Sequence, residues 1–419
     1  CGIQTAFADR PIVVRSGKPP AVFLHPREMR IPASISLPIF AASLLGSCKP
    51  SSGTREKAAL VPADTPVSFN THIQPILSEN CYHCHGPDSK ARAPEKEPLR
   101  IDREEFAFQK RKDRQPVIIK GDPEKSLLVR LMKSTDTDEV MPPPKTHKKL
   151  TAEQIALIER WIAEGAKYED HWAFIPPKRP DKPAVTHPEF VNNPIDGFIQ
   201  KKLAEKGLAP APTEDPRALA RRAALDLTGL LPDAADVEAF AKNPTDEAYK
   251  AYLDKLFNSP AYAEHRARYW LDYSRYADTH GLHFDNVRSI WPYRDYVIRS
   301  FAANKPYDQF VREQLAGDQI PATSAEPWIA TGYIRCNVST NEGGTIPEEV
   351  HANNTRDRVE AFGAAFLGLT VGCAGCHDHK FDPISQKDFY SLAAFFNNTS
   401  EKPWDENIAD SRPVLRLPA

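Results

Sequence analysis

Cys81-Tyr82-His83-Cys84-His85 near the beginning and Cys373-Ala374-Gly375-Cys376-His377 near the end are two copies of one pattern, Cys-x-x-Cys-His. Each reads as an attachment site for a covalent c-type haem. The chemistry accounts for the spacing: two thiols add across the haem vinyl groups, and the next imidazole reaches the iron from one face as proximal ligand. Chance does not supply the pattern, since 7 cysteines and 13 histidines in 419 residues give an expectation of about 0.004 such strings. A structural zinc site pairs its Cys-x-x-Cys elements close together, whereas these begin 292 residues apart, at 81 and 373. A thioredoxin-like pair needs no histidine after its second cysteine, which leaves zinc or a disulfide as the bland alternatives. Of the other cysteines, Cys1 and Cys48 belong to the N-terminal region and Cys336 stands alone, where burial is the ordinary expectation.

With 41% hydrophobic residues over 419 positions, the chain can bury more than one core, and its length predicts two or three domains. The formal charge of −2 provides no global basic field, so neither nucleic acid nor anionic lipid is recruited by bulk charge. Thirty-nine prolines against 19 glycines predict long, stiff, surface-hugging loops.

The chain opens on Cys1, and its first methionine is Met29. From there Met29-Arg30 leads into an uncharged stretch, Ile31 to Ser47, ending Leu45-Gly46-Ser47-Cys48 ahead of a polar run. This is the layout of a secretory signal cut before a cysteine. Residues 29–47 are read as a lipoprotein signal peptide, Cys48 as the lipidated first residue of the mature protein, 48–65 as a flexible tether and 1–28 as an upstream extension. Pro32 and Pro38 make the stretch a poor transmembrane span, and no other segment is long and apolar enough to cross a bilayer. The expected location is therefore periplasmic or at the cell surface, where c-type attachment takes place.

Ahead of the first string, Phe69, Ile73, Ile76 and Leu77 fall on one face of a helix that Pro75 kinks or confines. Thr151-Ala152-Glu153-Gln154 is a capping box opening a second helix, with Ile155, Ile158, Trp161 and Ile162 on one side and Gly165 as the stop. Two such helices around a loop are what a small cytochrome c core requires, and residues 66–170 are assigned to it. Between them, Met141 sits among acids and prolines in Asp138-Glu139-Val140-Met141-Pro142-Pro143-Pro144, outside any apolar periodicity. A thioether there has a purpose as sixth iron ligand, because His/Met ligation raises the haem potential. Met132 lies in the apolar pattern of Leu127, Leu128 and Leu131 and is read as core.

A proline-rich stretch, 171–190, reads as a semi-rigid linker. Beyond it, 191–419 is mostly helical in pattern: Asp215-Pro216 supplies N-cap and first helical residue, Gly229 ends that helix, and apolar periods cover about 246–258, 261–277, 292–303, 307–315, 356–369 and 386–396. No run alternates long enough to make a sheet. The fold class is mainly α, a cytochrome c-like domain followed by a larger helical haem-bearing domain.

Several blocks of this text resemble the planctomycete-type cytochrome c family. They are Cys81 to Gly86 with Met141-Pro142-Pro143, Arg221 to Leu230, Arg275-Tyr276-Ala277-Asp278-Thr279-His280-Gly281, Trp291 to Asp295, Gln314 to Asp318, and Leu367 through Cys373 to Ile384. The resemblance implies a large secreted protein with an N-terminal cytochrome module and a helical domain carrying its own CxxCH. Members usually run on into a further large domain beyond this point, and whether the chain is a fragment of a longer protein is a question the resemblance raises.

For the second iron no spare methionine exists, which leaves His280, His283, His351, a non-histidine ligand or an open face. His379 is tethered to the wrong side by His377, two residues before it. Arg356 and Arg358 could pair with haem propionates, although exposed helix charges are the blander reading. The expectation is a dihaem c-type electron-transfer lipoprotein. Cys81, Cys84, His85 and Met141 hold haem 1, and Cys373, Cys376 and His377 hold haem 2. Its partner is a redox protein or a quinone-linked donor or acceptor. The rivals are a dihaem peroxidase or other haem oxidoreductase with an open second iron, and a surface scaffold with structural haems. No catalytic triad, phosphate loop or paired-carboxylate motif stands out.

Overall fold

The computed structural model of the chain describes residues 13–14 and 61–417, apart from 63, 90, 95–97, 110–115, 283, 322–323, 341 and 403–411. The signal and lipidation readings at 29–47 and Cys48, the tether up to residue 60, and the extension 1–28 except for 13–14 lie outside the described residues. The protein is mainly helical. Among the described residues the only strands are Val13–Val14 and Leu415–Arg416, paired in parallel with Val13 opposite Leu415. No helix among them is long and apolar enough to cross a membrane. The chain divides into two compact units, 17–169 and 170–419 together with 1–16.

The first unit is built on two helical segments that enclose an aromatic centre. Ser68 caps the opening turn, accepting from the Thr71 amide, and a wide turn at Phe69–Ile73 passes into the α-helix Gln74–Asn80. Pro75 lies in the first turn of that helix, where its missing N–H costs nothing, so it marks a start and not a kink. Ala152–Ala163 forms the second helix behind the full Thr151/Gln154 capping box. Ile73, Leu77, Ile158 and Ile162 are completely buried where these segments meet. Phe69, Trp161 and Tyr168 pack ring against ring, with centroids 4.4 to 5.7 Å apart, and Trp161 Nε1 donates to the Lys167 carbonyl. Between the two helices the chain forms three further short ones, Tyr82–His85, Glu104–Ala107 and Leu127–Lys133.

In the second unit, Asp215 accepts from the Arg217 and Ala218 amides and Pro216 begins the helix Pro216–Thr228, which stops at Gly229 in the left-handed region. Ala234–Lys242 and Asp246–Phe257 pack beside it around Ala220, Phe240 and Tyr252. A larger core joins Pro260–Tyr273, Trp291–Ala302 and Tyr307–Ala316, and inside it Trp270 Nε1 donates to Gln314 Oε1 at 2.8 Å. Pro347–Phe362 and Gln386–Phe396 enclose a third core with Val371 and Ala374. Residues 171–190, expected to act as a linker, are tied to this unit. His171 Nε2 donates to Asp382 Oδ1 at 3.0 Å, and the His187 amide donates to Gln200 Oε1.

Candidate haem sites

The helix Gln74–Asn80 delivers the first string directly. The Cys81 amide closes on Leu77 O, and Cys84 and His85 both donate to Cys81 O, so the string coils into the single turn Tyr82–His85. In that conformation residues three and four apart share a face, which puts both thiols and the imidazole on one side. Tyr82 points the other way into the core and is 3% exposed. Gly86 must carry the chain out, because a Cβ there would lie 2.3 Å from Tyr82 O. The returning segment seals the turn through Ala93 N to Cys84 O and Ile101 N to His85 O.

Cys81, Cys84 and His85 line a cavity of about 500 Å³ together with Met141. That volume falls in the range of cofactor pockets. Its walls are mostly apolar, including Leu99, Ile101, Val117, Leu128 and Leu131. Met141 comes from a distant stretch of chain and is held by its amide, which donates to Leu131 O at 3.1 Å. Met132, expected in the core, is buried but borders the same cavity. The thiols are free, and burial pushes Cys81 up to about 12 against the opposing charge of Lys148. Among the described residues no group of three or more His, Cys, Asp or Glu side chains is placed to hold a metal ion. The cavity, the paired thiols and the two iron-ligating side-chain types fit a covalent haem.

The second string is placed differently. Gly372–Gly375 makes a 3₁₀ turn, and Cys376 and His377 donate to Cys373 O. Ala374 is buried in the third core, whereas Cys373, Cys376 and His377 are exposed. His377 Nδ1–H donates to the Asp378 carbonyl at 2.8 Å. The Nε2 lone pair is thus left as the ligating atom, the tautomer a metal-bound histidine requires. His379 is folded into its own loop, where Nδ1 accepts from the Phe381 and Asp382 amides.

Two of the distal candidates are engaged elsewhere. His280 is buried with Nδ1 bonded to Ser339 Oγ at 2.8 Å, His351 donates through Nε2 to Asn397 Oδ1 at 2.9 Å, and His283 lies outside the described residues. Arg356 pairs with Glu360. Arg358, expected on the surface or at a propionate, is instead 2% exposed, pairs with Glu401 and donates to Ile334 O and Asn337 Oδ1. Sequence reasoning did not find the cavity wall at Ile101, Val117 and Leu150, nor Lys148 at its edge. The alternation of Thr146, Lys148 and Leu150 is the only signal that could have pointed there.

Comparison with known families adds two matches. Residues 81–145 match the family described as Planctomycete cytochrome C, and residues 194–401 match one described as a protein of unknown function, DUF1549. Comparison with curated proteins and with solved structures gives no match.

Proposed function

The chain is a planctomycete-type cytochrome c in its Cys81 unit, and on that premise we propose that it is an exported dihaem cytochrome carrying electrons outside the cytoplasmic membrane, lipid-anchored at Cys48. The observation that carries this reading is the convergence of Cys81, Cys84, His85 and Met141 on one apolar cavity. There the two cysteines would tether the group, His85 and Met141 would hold its iron, and the apolar wall would exclude water. Bound haem supplies one-electron chemistry at a potential that His/Met ligation raises. At the second string, Cys373 and Cys376 would attach haem and the Nε2 of His377 would ligate it.

Protein matured in a strain competent for cytochrome c assembly is expected to carry two haems that survive denaturation and acid–acetone extraction. An intact mass with one haem or none overturns the dihaem reading. A second reading, an oxidoreductase working at haem 2, is favoured by the exposure of Cys373, Cys376 and His377. A carrier keeps both irons six-coordinate and low-spin; a high-spin signal that responds to cyanide or peroxide selects the enzyme.

A further inference from the structure

We propose that His171 is a positioning residue for the second haem, acting through Asp382 on the loop whose Asp378 carbonyl orients His377. This rests on haem being held at Cys373, Cys376 and His377. His377 is exposed, so packing does little to aim its ring; the bond from its Nδ1–H to the Asp378 carbonyl, 2.8 Å long, does so instead. The loop that carries Asp378 is tied mostly to itself. The His379 amide donates to Ile384 O, the Ile384 amide to Asp382 O, the Phe381 and Asp382 amides to His379 Nδ1, and the Gln386 amide to Asp378 Oδ1. Among the described residues, the bond from His171 Nε2 to Asp382 Oδ1, at 3.0 Å, is the one that reaches residues 378–384 from a distant stretch of chain.

The segment that carries His171 is not drawn inward by a core. Residues 172–182 are all exposed, whereas the His171 side chain is 7% exposed and the Asp382 carboxylate it meets is 17% exposed. The Ala173 amide donates to His171 Nδ1, which puts the ring proton on Nε2, facing the carboxylate. His379 cannot take over this role. Its Nδ1 already accepts two amides, so its 3.4 Å approach to Asp382 Oδ2 sets lone pair against lone pair. His171 is therefore the side-chain donor that offsets the partial burial of Asp382. With Asp382 pinned, the loop holds the Asp378 carbonyl where the His377 Nδ1–H meets it, and that bond raises the basicity of Nε2 toward an iron.

The test is potentiometry with EPR on the haem-loaded chain, the haem at Cys81 serving as internal reference. The second haem's wave is identified by its absence from Cys373→Ala/Cys376→Ala protein. His171→Phe keeps a ring of similar size that cannot donate, and His171→Gln keeps a donor at about the reach of Nε2. In His171→Phe the potential of the second haem should rise and its EPR g-values should move while the first haem stays put, and His171→Gln should restore the parent values. Asp382→Leu should raise the potential by the same amount, with no further change when His171→Phe is added. On the same samples, the His379, Asp382 and Ile384 amides should exchange about tenfold faster in His171→Phe but not in His171→Gln, the worth of one hydrogen bond to a charged group. Equal potentials and g-values in the parent and His171→Phe overturn the proposal. So does an equal shift of both haems, or a shift that His171→Gln shares in full, which would make the packing of the ring and not its proton the active feature. Absence of haem at Cys373, read by mass, instead sinks the dihaem reading and takes the proposal with it.

Discussion

Replacing Met141 by alanine separates ligation from attachment. Its backbone is anchored to Leu131 O and its side chain borders the cavity, so the cavity should survive the loss of the thioether. Haem should remain covalently bound, a weak band at the red end of the oxidised spectrum should vanish, and the potential should drop by a sizeable part of the roughly 0.8 V that axial ligation spans. Met132→Leu should leave the band intact, and an unchanged band in Met141→Ala would transfer the role to Met132. Glu401 offers a second test at this scale. Burial pushes its carboxyl up, but Arg335 and Arg358 outweigh burial and hold it below the usual carboxylate range. A carboxylate held low contributes stability above its unfolded value of about 4.3 and loses it as pH falls through the folded value. Glu401→Gln should therefore cost roughly 3–5 kcal/mol near neutral pH by leaving two buried guanidinium groups short of a counter-charge. Its urea stability should also fall less steeply than that of the parent below about pH 4.3. Parallel acid limbs would show that Glu401 does not titrate in unfolding.

Caps and turns hold the elements in place, and they were the most legible part of the chain. The Thr151/Gln154 box, Asp215-Pro216 and Gly229 are local signals whose partners lie within four residues. Asp215→Ala should cost about 1 kcal/mol in thermal unfolding and Asp215→Asn almost nothing, since only the side-chain acceptor for the Arg217 and Ala218 amides is at stake. The helix Pro347–Phe362 begins nine residues before its apolar period shows, because Asn353, Asn354, Thr355 and Arg358 interrupt the pattern while Arg358 turns inward to Glu401. Polar residues buried by a distant partner defeat periodicity. At the first string the decisive element is one helical turn. Gly86→Ala should displace it, because the added carbon would strike Tyr82 O and Tyr82 Cβ, and the yield of covalent haem should fall severalfold by absorbance per protein. Full attachment in that variant would mean the turn can relax without moving the thiols.

Across the whole molecule, the two strings meet different surroundings: one borders an apolar cavity, the other is exposed. Solvent around a haem stabilises its more highly charged oxidised state. Potentiometry should therefore resolve two waves, the higher from the Cys81 site and the lower from the Cys373 site, and a single wave of two-haem amplitude would contradict this assignment. The identical pattern of the two strings could not reveal the contrast, because burial depends on segments tens of residues away, such as Leu131 and Leu150 beside Cys81. The mainly α class was legible because repeated apolar periods need only local sequence.

One detail of the first unit reaches further. Its entering chain is held by its departing one: Val67 N donates to Glu164 Oε2 at 2.8 Å, the Phe69 and Asn70 amides to Glu169, and Arg160 to the Val61, Pro62 and Thr65 carbonyls. A module whose two ends leave from the same corner is a cassette. It can be spliced ahead of unrelated partners, or reopened as a circular permutant, without disturbing the interior it closes around.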